Sequence, residues 1–379
     1  MVSEMEFKID SNLLKSALIE VSRAISNHPT IHVLSGVLIK TTMNELSLIG
    51  MNSERIVKKV IPSINASLEI LREGSMVIPA KSFLELVKKL PDRLYIKQTQ
   101  HKINIISNDI YTSISEIPSE NYPQLPEMPK TPISSLQSNL LKSLIIQTCF
   151  AASEHETNHV INGVQWIFTE NRIQCTATNS HRLATVNAAS SSQNSRSIII
   201  PKKNLLEYLH LIGNDSHNIQ VFLTEHYVLL ESKDILFFSR LISGSFPDIS
   251  KMIPSHFSTE IVLNRKRFLE GMERANLLST KERHHKVKFM TLGTTLVELT
   301  SMSSEIGEII EKQEIDQLIG EEIEITFDCN FMKDALKAID EEQVRLGFNG
   351  SLKPIVIQPL VDHSYTQIIS PVRTSARIL

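Results

Sequence analysis

Apolar residues along the chain recur at two spacings, and these spacings follow the same order three times. Residues 13–25 have the spacing of an amphipathic helix, and residues 33–41 then alternate as a β-strand does. The same order recurs with a helix over residues 140–153 and a strand from Val160. It recurs less clearly with a helix over residues 265–279 that leads into another strand. A long fixed period of this kind predicts a chain built from three similar modules.

A second set of matches supports the first. Strand-like runs that begin at Met76, Ser197 and Ile325 each lead into a helical pattern, with a proline or an aspartate near the helix start. Pro79 and Pro201 hold equivalent places in the first two copies. Alternating runs follow each of these helices and predict β-hairpins.

Proline-containing segments mark the ends of the first two modules, which close on NYPQLP from Asn121 and on SFPDIS from Ser245. Each module has an ordinary domain size of roughly 120 residues. We therefore predict an α+β fold of three repeated domains, each with two helices and two antiparallel sheets. The predicted domains are residues 1–128, 129–254 and 255–379.

The predicted helices are rich in lysine and arginine. If edge strands of neighbouring modules pair into continuous sheets, curvature allows a closed ring with the helices on its inner wall. The formal net charge is −3, which a ring with a basic lining and an acidic exterior would also have. Any single basic residue is more simply interpreted as part of a solvated face, but their recurrence predicts weak, salt-sensitive contact with DNA phosphates. The DNA-facing candidates are Lys15, Arg23, Lys81, Lys88, Lys89, Lys142, Lys202, Lys203, Arg267, Arg274, Lys333 and Lys337.

Several classes of protein are disfavoured by the sequence. Neither a secretory signal nor an apolar run of about 18 residues is found, so export and membrane spanning are not expected. Cys149, Cys175 and Cys329 lie far apart and are predicted to be reduced, cytosolic core residues. His284 and His285 without a placed carboxylate or cysteine make a poor metal site. The phosphate-binding loop of ATPases is missing, which disfavours ATP hydrolysis.

Three separated motifs resemble one family. The run ATNSHRLA over residues 177–184, the run SGSFPDISKMIP over residues 243–254 and the ending ISPVRT from Ile369 occur in the family's order. On these motifs and the threefold repeat, the chain is identified as a member of the bacterial DNA polymerase III β subunit family, the replication sliding clamps. The resemblance covers essentially all 379 residues.

The resemblance implies a head-to-tail dimer of three-domain subunits that forms a six-domain ring around duplex DNA and tethers the polymerase. It implies neither catalytic activity nor a cofactor. The expected partners are double-stranded DNA, DNA polymerase, a clamp loader and other proteins with a clamp-binding motif, and the expected location is the cytoplasm at the nucleoid. The residues that match the family's subunit interface are Ile110, Tyr111, Thr112, Ile114, Leu277 and Leu278.

The resemblance also implies a pocket that captures short partner peptides with apolar tips. An apolar slot with a few polar rim groups suits such a ligand, although isolated apolar residues are more often plain core. Ser180 beside His181 could suggest a nucleophile and its base, but adjacent strand residues point to opposite faces, so a hydrolase is rejected. The pocket residues carried over are Ile161, Thr178, Ser180, His181, Arg182, Leu183, Pro247, Lys251, Met252, Pro354, Ile368, Ile369, Pro371, Val372 and Arg373.

Four features depart from the family pattern. Asn179 stands where the family usually has Asp, and His28 stands where an arginine or another DNA-facing residue is common. Lys251 replaces an arginine at the pocket rim and loses a planar pair of donors. Residues 375–379 extend past the usual end of the chain. That tail either folds back and competes with partner peptides or is simply a frayed terminus.

These departures favour a specialised second clamp over a housekeeping one. The leading hypothesis remains a processivity factor that encircles DNA. The alternative is a clamp paralogue that acts as a partner-binding regulator and does not load onto DNA. An enzyme is the third and most remote possibility.

Overall fold

The structure is a computed structural model that describes residues 4–26, 28–64, 66–154, 157–192, 195–249, 252–279, 285–303 and 307–372. Six α-helices lie in these ranges, two in each predicted module. The helices are α1 (Ser11–Ser22), α2 (Ala80–Val87), α3 (Ser138–Cys149), α4 (Lys202–Leu211), α5 (Arg265–Ser279) and α6 (Cys329–Lys337).

Antiparallel strands make up most of the remaining regular structure, as the alternating runs predict. Those of the first module are β1 (Glu6–Asp10), β2 (Gly36–Thr42), β3 (Glu45–Met51), β4 (Arg55–Pro62), β5 (Leu68–Arg72), β6 (Gly74–Pro79), β7 (Arg93–Thr99), β8 (Lys102–Ser107) and β9 (Ile110–Ser115). Those of the second are β10 (Ser134–Gln137), β11 (Gly163–Phe168), β12 (Arg172–Thr178), β13 (Arg182–Ala189), β14 (Arg196–Pro201), β15 (Asn218–Leu223), β16 (Tyr227–Ser232) and β17 (Ile235–Arg240). Those of the third are β18 (Thr259–Asn264), β19 (Lys286–Leu292), β20 (Leu296–Ser303), β21 (Gly307–Glu314), β22 (Gln317–Gly320), β23 (Glu324–Asp328), β24 (Gln343–Phe348), β25 (Ile355–Pro359) and β26 (Tyr365–Ile369).

The chain divides into two compact units, and the middle module contributes to both. The first unit comprises Met1–Leu140 and Lys203–Leu241. It holds a sheet in the order β5-β1-β7-β8-β9 and a second in the order β10-β15-β16-β17-β4-β3-β2-β6. Pairing of β17 with β4 joins a strand of the second module to one of the first. Edge strands of neighbouring modules therefore form one continuous sheet, as predicted.

The second unit comprises Leu141–Lys202 and Ile242–Leu379. Its larger sheet has the order β14-β11-β12-β13-β26-β25-β24-β18-β22, and its smaller sheet has the order β21-β20-β19-β23. Here β13 of the second module pairs with β26 of the third. The same rule therefore joins modules in both units. The three cysteines are buried free thiols, as predicted.

Helix starts follow the capping residues that the sequence shows. The carboxylate of Asp10 accepts hydrogen bonds from the backbone N–H groups of Asn12 at 2.9 Å and Leu13 at 3.1 Å, which starts α1 at Ser11. The predicted helix over residues 13–25 was therefore placed slightly too late. The Asp328 carboxylate caps α6 in the same way.

Two predicted strand starts are wrong in the same manner. Val33 and Val160 lie in short 3-10 turns, His32–Ser35 and His159–Asn162, and the strands begin at Gly36 and Gly163. Each glycine faces the proline that precedes the next helix of its module, Gly36 opposite Pro79 and Gly163 opposite Pro201. A Cβ at Gly36 would lie 2.4 Å from Val77 Cγ1, and one at Gly163 would lie 2.7 Å from Ile199 Cγ2. Only glycine allows the neighbouring strand to approach this closely.

Candidate functional site

The run that carries the first family motif forms the tight turn between β12 and β13. The Asn179 side-chain oxygen accepts hydrogen bonds from the backbone N–H groups of His181 at 3.1 Å and Arg182 at 2.9 Å. The Thr178 hydroxyl donates to the Arg182 carbonyl at 2.7 Å, and Ser180 takes a left-handed backbone with φ of 71°. Because an asparagine oxygen can accept both bonds, Asn179 does the structural work that the family's aspartate would do.

Ser180 and His181 lie in this turn, between the end of β12 and the start of β13. The reason given above for rejecting a nucleophile and base was therefore wrong in its premise, since neither residue is in a strand. The backbone N–H groups of both residues are used inside the turn, where Ser180 donates to the Thr178 hydroxyl at 3.2 Å. The His181 carbonyl accepts from Ser370 at 2.8 Å and so ties the turn to the end of β26.

An apolar row crosses four neighbouring strands of the larger sheet in the second unit. Leu183 of β13 lies opposite Ile368 of β26, Ile368 lies opposite Val356 of β25, and Val356 lies opposite Gly347 of β24. Directly opposed residues project their side chains from the same face of a sheet. Leu183, Ile368 and Val356 are in contact and almost fully buried. We call these three residues the apolar row.

Three half-buried residues cover the apolar row: Ile249, Ile253 and Phe257. The two isoleucines belong to the second family motif, which therefore lies against the strands of the first and third motifs. The sequence did not single out these residues or Val356. For the isoleucines the available signal was their place beside Pro247 in the motif, and for Val356 it was the alternation of β25.

The remaining pocket candidates border this cluster in sequence and are more accessible. Pro247, Pro354, Pro371 and Val372 are half-buried, and Met252 is 50% exposed. The Val372 N–H donates to the Thr326 carbonyl at 2.8 Å, which holds the end of the described chain on the third module.

Other candidates lie elsewhere or outside the described residues. Ile161 is buried in its 3-10 turn, where its carbonyl accepts from the Ser153 N–H at 2.9 Å. Ile369 lies opposite Arg182 and is buried on the reverse face of the sheet. Lys251, Arg373 and the tail of residues 375–379 lie outside the described residues, and competition by the tail stays a prediction.

Arg182 projects from the face opposite Leu183 and holds two helices. Its guanidinium lies 4.6 Å from the ring centroid of Phe331 and 5.3 Å from that of Phe150. One terminal nitrogen binds the Asp334 carboxylate of α6 at 2.7 Å, and the other donates to the Phe150 carbonyl just beyond α3. The side chain is only 11% exposed. Arg182 therefore supports the turn from behind and has little surface to offer a ligand.

Two sheet edges bear on assembly. In each sheet the third strand of a consecutive triple is the one that meets another module: β17 pairs with β4, and β26 pairs with β13. The triples β7-β8-β9 and β19-β20-β21 end on β9 and β21, which lie at the edges of their sheets. By the repeat, β9 and β21 are the equivalents of strands that pair between modules.

The predicted interface residues of the first unit all lie in β9. Ile110 is 43% exposed and Tyr111 is 65% exposed, while Thr112 and Ile114 are half-buried. In the second unit, Leu277 near the end of α5 is 68% exposed. The neighbouring Leu278 is half-buried.

The sequence did not identify β21 as part of this edge. Its Ile310 is 57% exposed. Glu311 accepts two hydrogen bonds from Arg274 of α5, at 2.7 and 2.6 Å. These bonds, chiefly, hold the pKa of the Glu311 carboxyl below its ordinary value. The acidic edge is thus partly neutralised from within its own unit.

The DNA-facing candidates differ in how much charge they offer to solvent. Lys81, Lys89 and Lys203 are exposed, as are several members that form ion pairs. Lys202 is the clearest exception, since its side chain is 11% exposed and its ammonium binds Glu154 at 3.0 Å. Ion pairs also engage Arg23 with Glu207, Lys88 with Glu85, Arg267 with Glu314, Arg274 with Glu311 and Lys337 with Glu273. Lys15, Lys142 and Lys333 are half-buried.

Three domain profiles of one family match the chain in succession. They describe the N-terminal domain of the DNA polymerase III beta subunit over residues 5–126, the central domain over residues 135–248 and the C-terminal domain over residues 250–373. The chain belongs to the DNA polymerase III beta subunit family. The beta subunit fold of three clamp domains accounts for the threefold repeat and for the six helices of the described residues.

Relatives within the beta subunit family match over almost the whole chain. The beta sliding clamp of Bacillus subtilis (strain 168) is 35% identical over 377 residues, which cover 98% of this chain and all of the relative. A beta sliding clamp of Staphylococcus aureus is 33% identical over the same shares. The crystal structure of the DNA polymerase sliding clamp from Bacillus subtilis superposes with a TM-score of 0.95 at 34% identity, covering 98% of this chain and 100% of that one. The beta chain from Streptococcus pneumoniae superposes with a TM-score of 0.93 at 32% identity over the same shares.

Two further findings concern other classes of site. Among the described residues, no helix has the length and apolar character needed to cross a membrane. Within the same ranges, no group of three or more His, Cys, Asp or Glu side chains is arranged to hold a metal ion. His284 of the histidine pair lies outside those ranges.

Proposed function

We propose that this chain is the subunit of a sliding clamp that closes around duplex DNA as a head-to-tail dimer and holds DNA polymerase III on its template. The observation that carries the proposal is the repeated use of third strands to join modules, which leaves β9 and β21 as matching edges. If β9 of one subunit pairs with β21 of its partner, two subunits close a ring in which each junction follows the same rule. Family membership and the names of the relatives support the same function.

The domain boundaries that fit this proposal are residues 1–128, 129–254 and 255–379. Helices in equivalent places of each domain would face the DNA, with exposed lysines such as Lys81, Lys89 and Lys203 near phosphates. The clamp would have no catalytic activity of its own and would act where DNA is replicated, in the cytoplasm at the nucleoid. A separate clamp loader would open the ring. Other proteins would exchange with the polymerase at the apolar row.

Retention on circular DNA tests the topological part of this proposal. The labelled chain is incubated with a clamp loader, ATP and a singly nicked circular plasmid, and DNA-bound protein is separated by gel filtration. A closed ring stays with circular DNA and is released when a restriction enzyme linearises the plasmid, because only a ring slides off free ends. Binding of partner peptides without retention on circles would instead support the paralogue that does not load.

We expect the variant Met252→Glu to bind partner peptides roughly ten-fold more weakly, because a carboxylate at the edge of an apolar site must be desolvated when a peptide covers it. Met252 is half-exposed, so the free energy of unfolding should change little. Fluorescence anisotropy of a labelled peptide measures the affinity. Met43→Glu is the matched control, since Met43 is 58% exposed in the turn between β2 and β3 of the first unit. Equal affinities for the two variants would argue against a site at Met252.

A further inference from the structure

The apolar row ends at a glycine, and a phenyl ring occupies the place of the missing side chain. Gly347 lies opposite Val356 and so shares its face of the sheet. A Cβ built on Gly347 would lie 2.6 Å from Cδ1 and 2.7 Å from Cε1 of Phe257. Because no real Cβ approaches this closely, only glycine at position 347 lets the Phe257 ring lie flat against β24.

Hydrogen bonds on both sides of Phe257 fix its backbone to the end of β24. The Asn349 amide donates to the His256 carbonyl at 2.9 Å. The Ser258 N–H donates to the Phe348 carbonyl at 2.9 Å, and the Ser258 hydroxyl donates to the same carbonyl at 3.0 Å. The ring therefore cannot leave the row by a movement of its backbone without breaking these bonds.

We propose that Phe257 is a specificity-determining residue of the partner-peptide pocket and that Gly347 is the residue that positions it. The inference rests on the proposed function, in which a peptide places an apolar side chain on the apolar row. The Phe257 ring closes the Val356 end of that row and limits the length of the side chain that fits there. An aliphatic side chain of leucine size is the ligand group that this wall favours over a bulky indole.

The size preference is tested with two short fluorescein-labelled peptides that are identical except for the last apolar residue, Leu in one and Trp in the other. For the unmodified protein we expect the Leu peptide to bind more tightly. Phe257→Ala opens the end of the row, so the ratio of the two dissociation constants should move toward the Trp peptide by roughly ten-fold. Phe257→Leu should give an intermediate ratio and keeps the site filled if the alanine variant folds poorly.

The positioning role of Gly347 has its own signature. Gly347→Ala forces the ring off β24 and onto the row, so both peptides should bind more weakly. In the double variant Gly347→Ala/Phe257→Ala the displaced ring is absent, and binding should return with the ratio of Phe257→Ala. Val361→Ala, at a side chain 78% exposed in the turn after β25, is the control that should leave both affinities unchanged.

Each outcome has a separate meaning. If the unmodified protein and all variants bind both peptides with one unchanged ratio, Phe257 does not set specificity, although the pocket works. If Gly347→Ala weakens binding and the double variant does not recover it, the positioning role of Gly347 is overturned. If the unmodified protein binds neither peptide at any concentration, the peptide-capturing function fails and this inference fails with it.

Discussion

Replacing Ser113 by proline should convert the dimer to monomers. Glu116 donates its N–H to the His101 carbonyl of the neighbouring segment at 2.9 Å. In an antiparallel ladder alternate residues face the same way, so Ser113 directs its N–H away from β8 and toward the open edge. Proline lacks this donor and fills the space that a partner strand would take. A penalty of about 3 kcal/mol corresponds to roughly a 100-fold weaker dimer, which sedimentation equilibrium measures.

Ser113→Ala is the matched control, because it removes the exposed hydroxyl and leaves the backbone donor in place. It should dimerise like the unmodified protein. The proline does not interrupt the bonds between β8 and β9, so the folded monomer should keep its circular dichroism spectrum and its affinity for a partner peptide. A Ser113→Pro variant that remains a dimer at low micromolar concentration would show that subunits do not meet at this strand edge.

The repeat made much of this fold predictable from sequence. Helical and alternating spacings placed α5 at its observed bounds and the other helices within a few residues, because amphipathic periodicity reports the buried face directly. Capping residues such as Asp10 were available in the sequence but were not used to set the start of α1. The 3-10 turns at His32 and His159 were missed because their apolar residues continue the pattern of the strand that follows.

The candidate site was less accessible to sequence reasoning. Family motifs located Leu183 and Ile368, but a motif does not tell which face of the sheet each residue occupies. Consecutive residues Arg182 and Leu183 were both assigned to the pocket, although alternation along β13 sends them to opposite faces. The role of Gly347 depends on a contact with Phe257 across 90 positions of sequence, and local pattern carries no signal for such a contact.

Arg182→Ala should be among the most destabilising single substitutions in the second unit. The guanidinium stacks on Phe331 and Phe150, binds Asp334 and donates to the Phe150 carbonyl. Loss of two cation–π contacts and a buried hydrogen bond should lower the free energy of unfolding by about 3 kcal/mol. Asp334 is 46% exposed and stays hydrated, so no isolated buried charge adds to this cost. Urea denaturation followed by circular dichroism measures the change.

Arg267→Ala separates this effect from the loss of any ion-paired arginine. Arg267 binds Glu314 at 3.1 Å with the two side chains 48% and 76% exposed, so its removal should cost no more than about 0.5 kcal/mol. Arg182→Lys keeps the charge but loses the planar donors and the stacking, and should fall between the two. Because Leu183 follows Arg182 in β13, the alanine variant should also speed hydrogen exchange in that strand and weaken peptide binding. If Arg182→Ala unfolds at the same urea concentration as Arg267→Ala, the helices α3 and α6 are held by other contacts, and the support that Arg182 gives to the pocket turn is not structural.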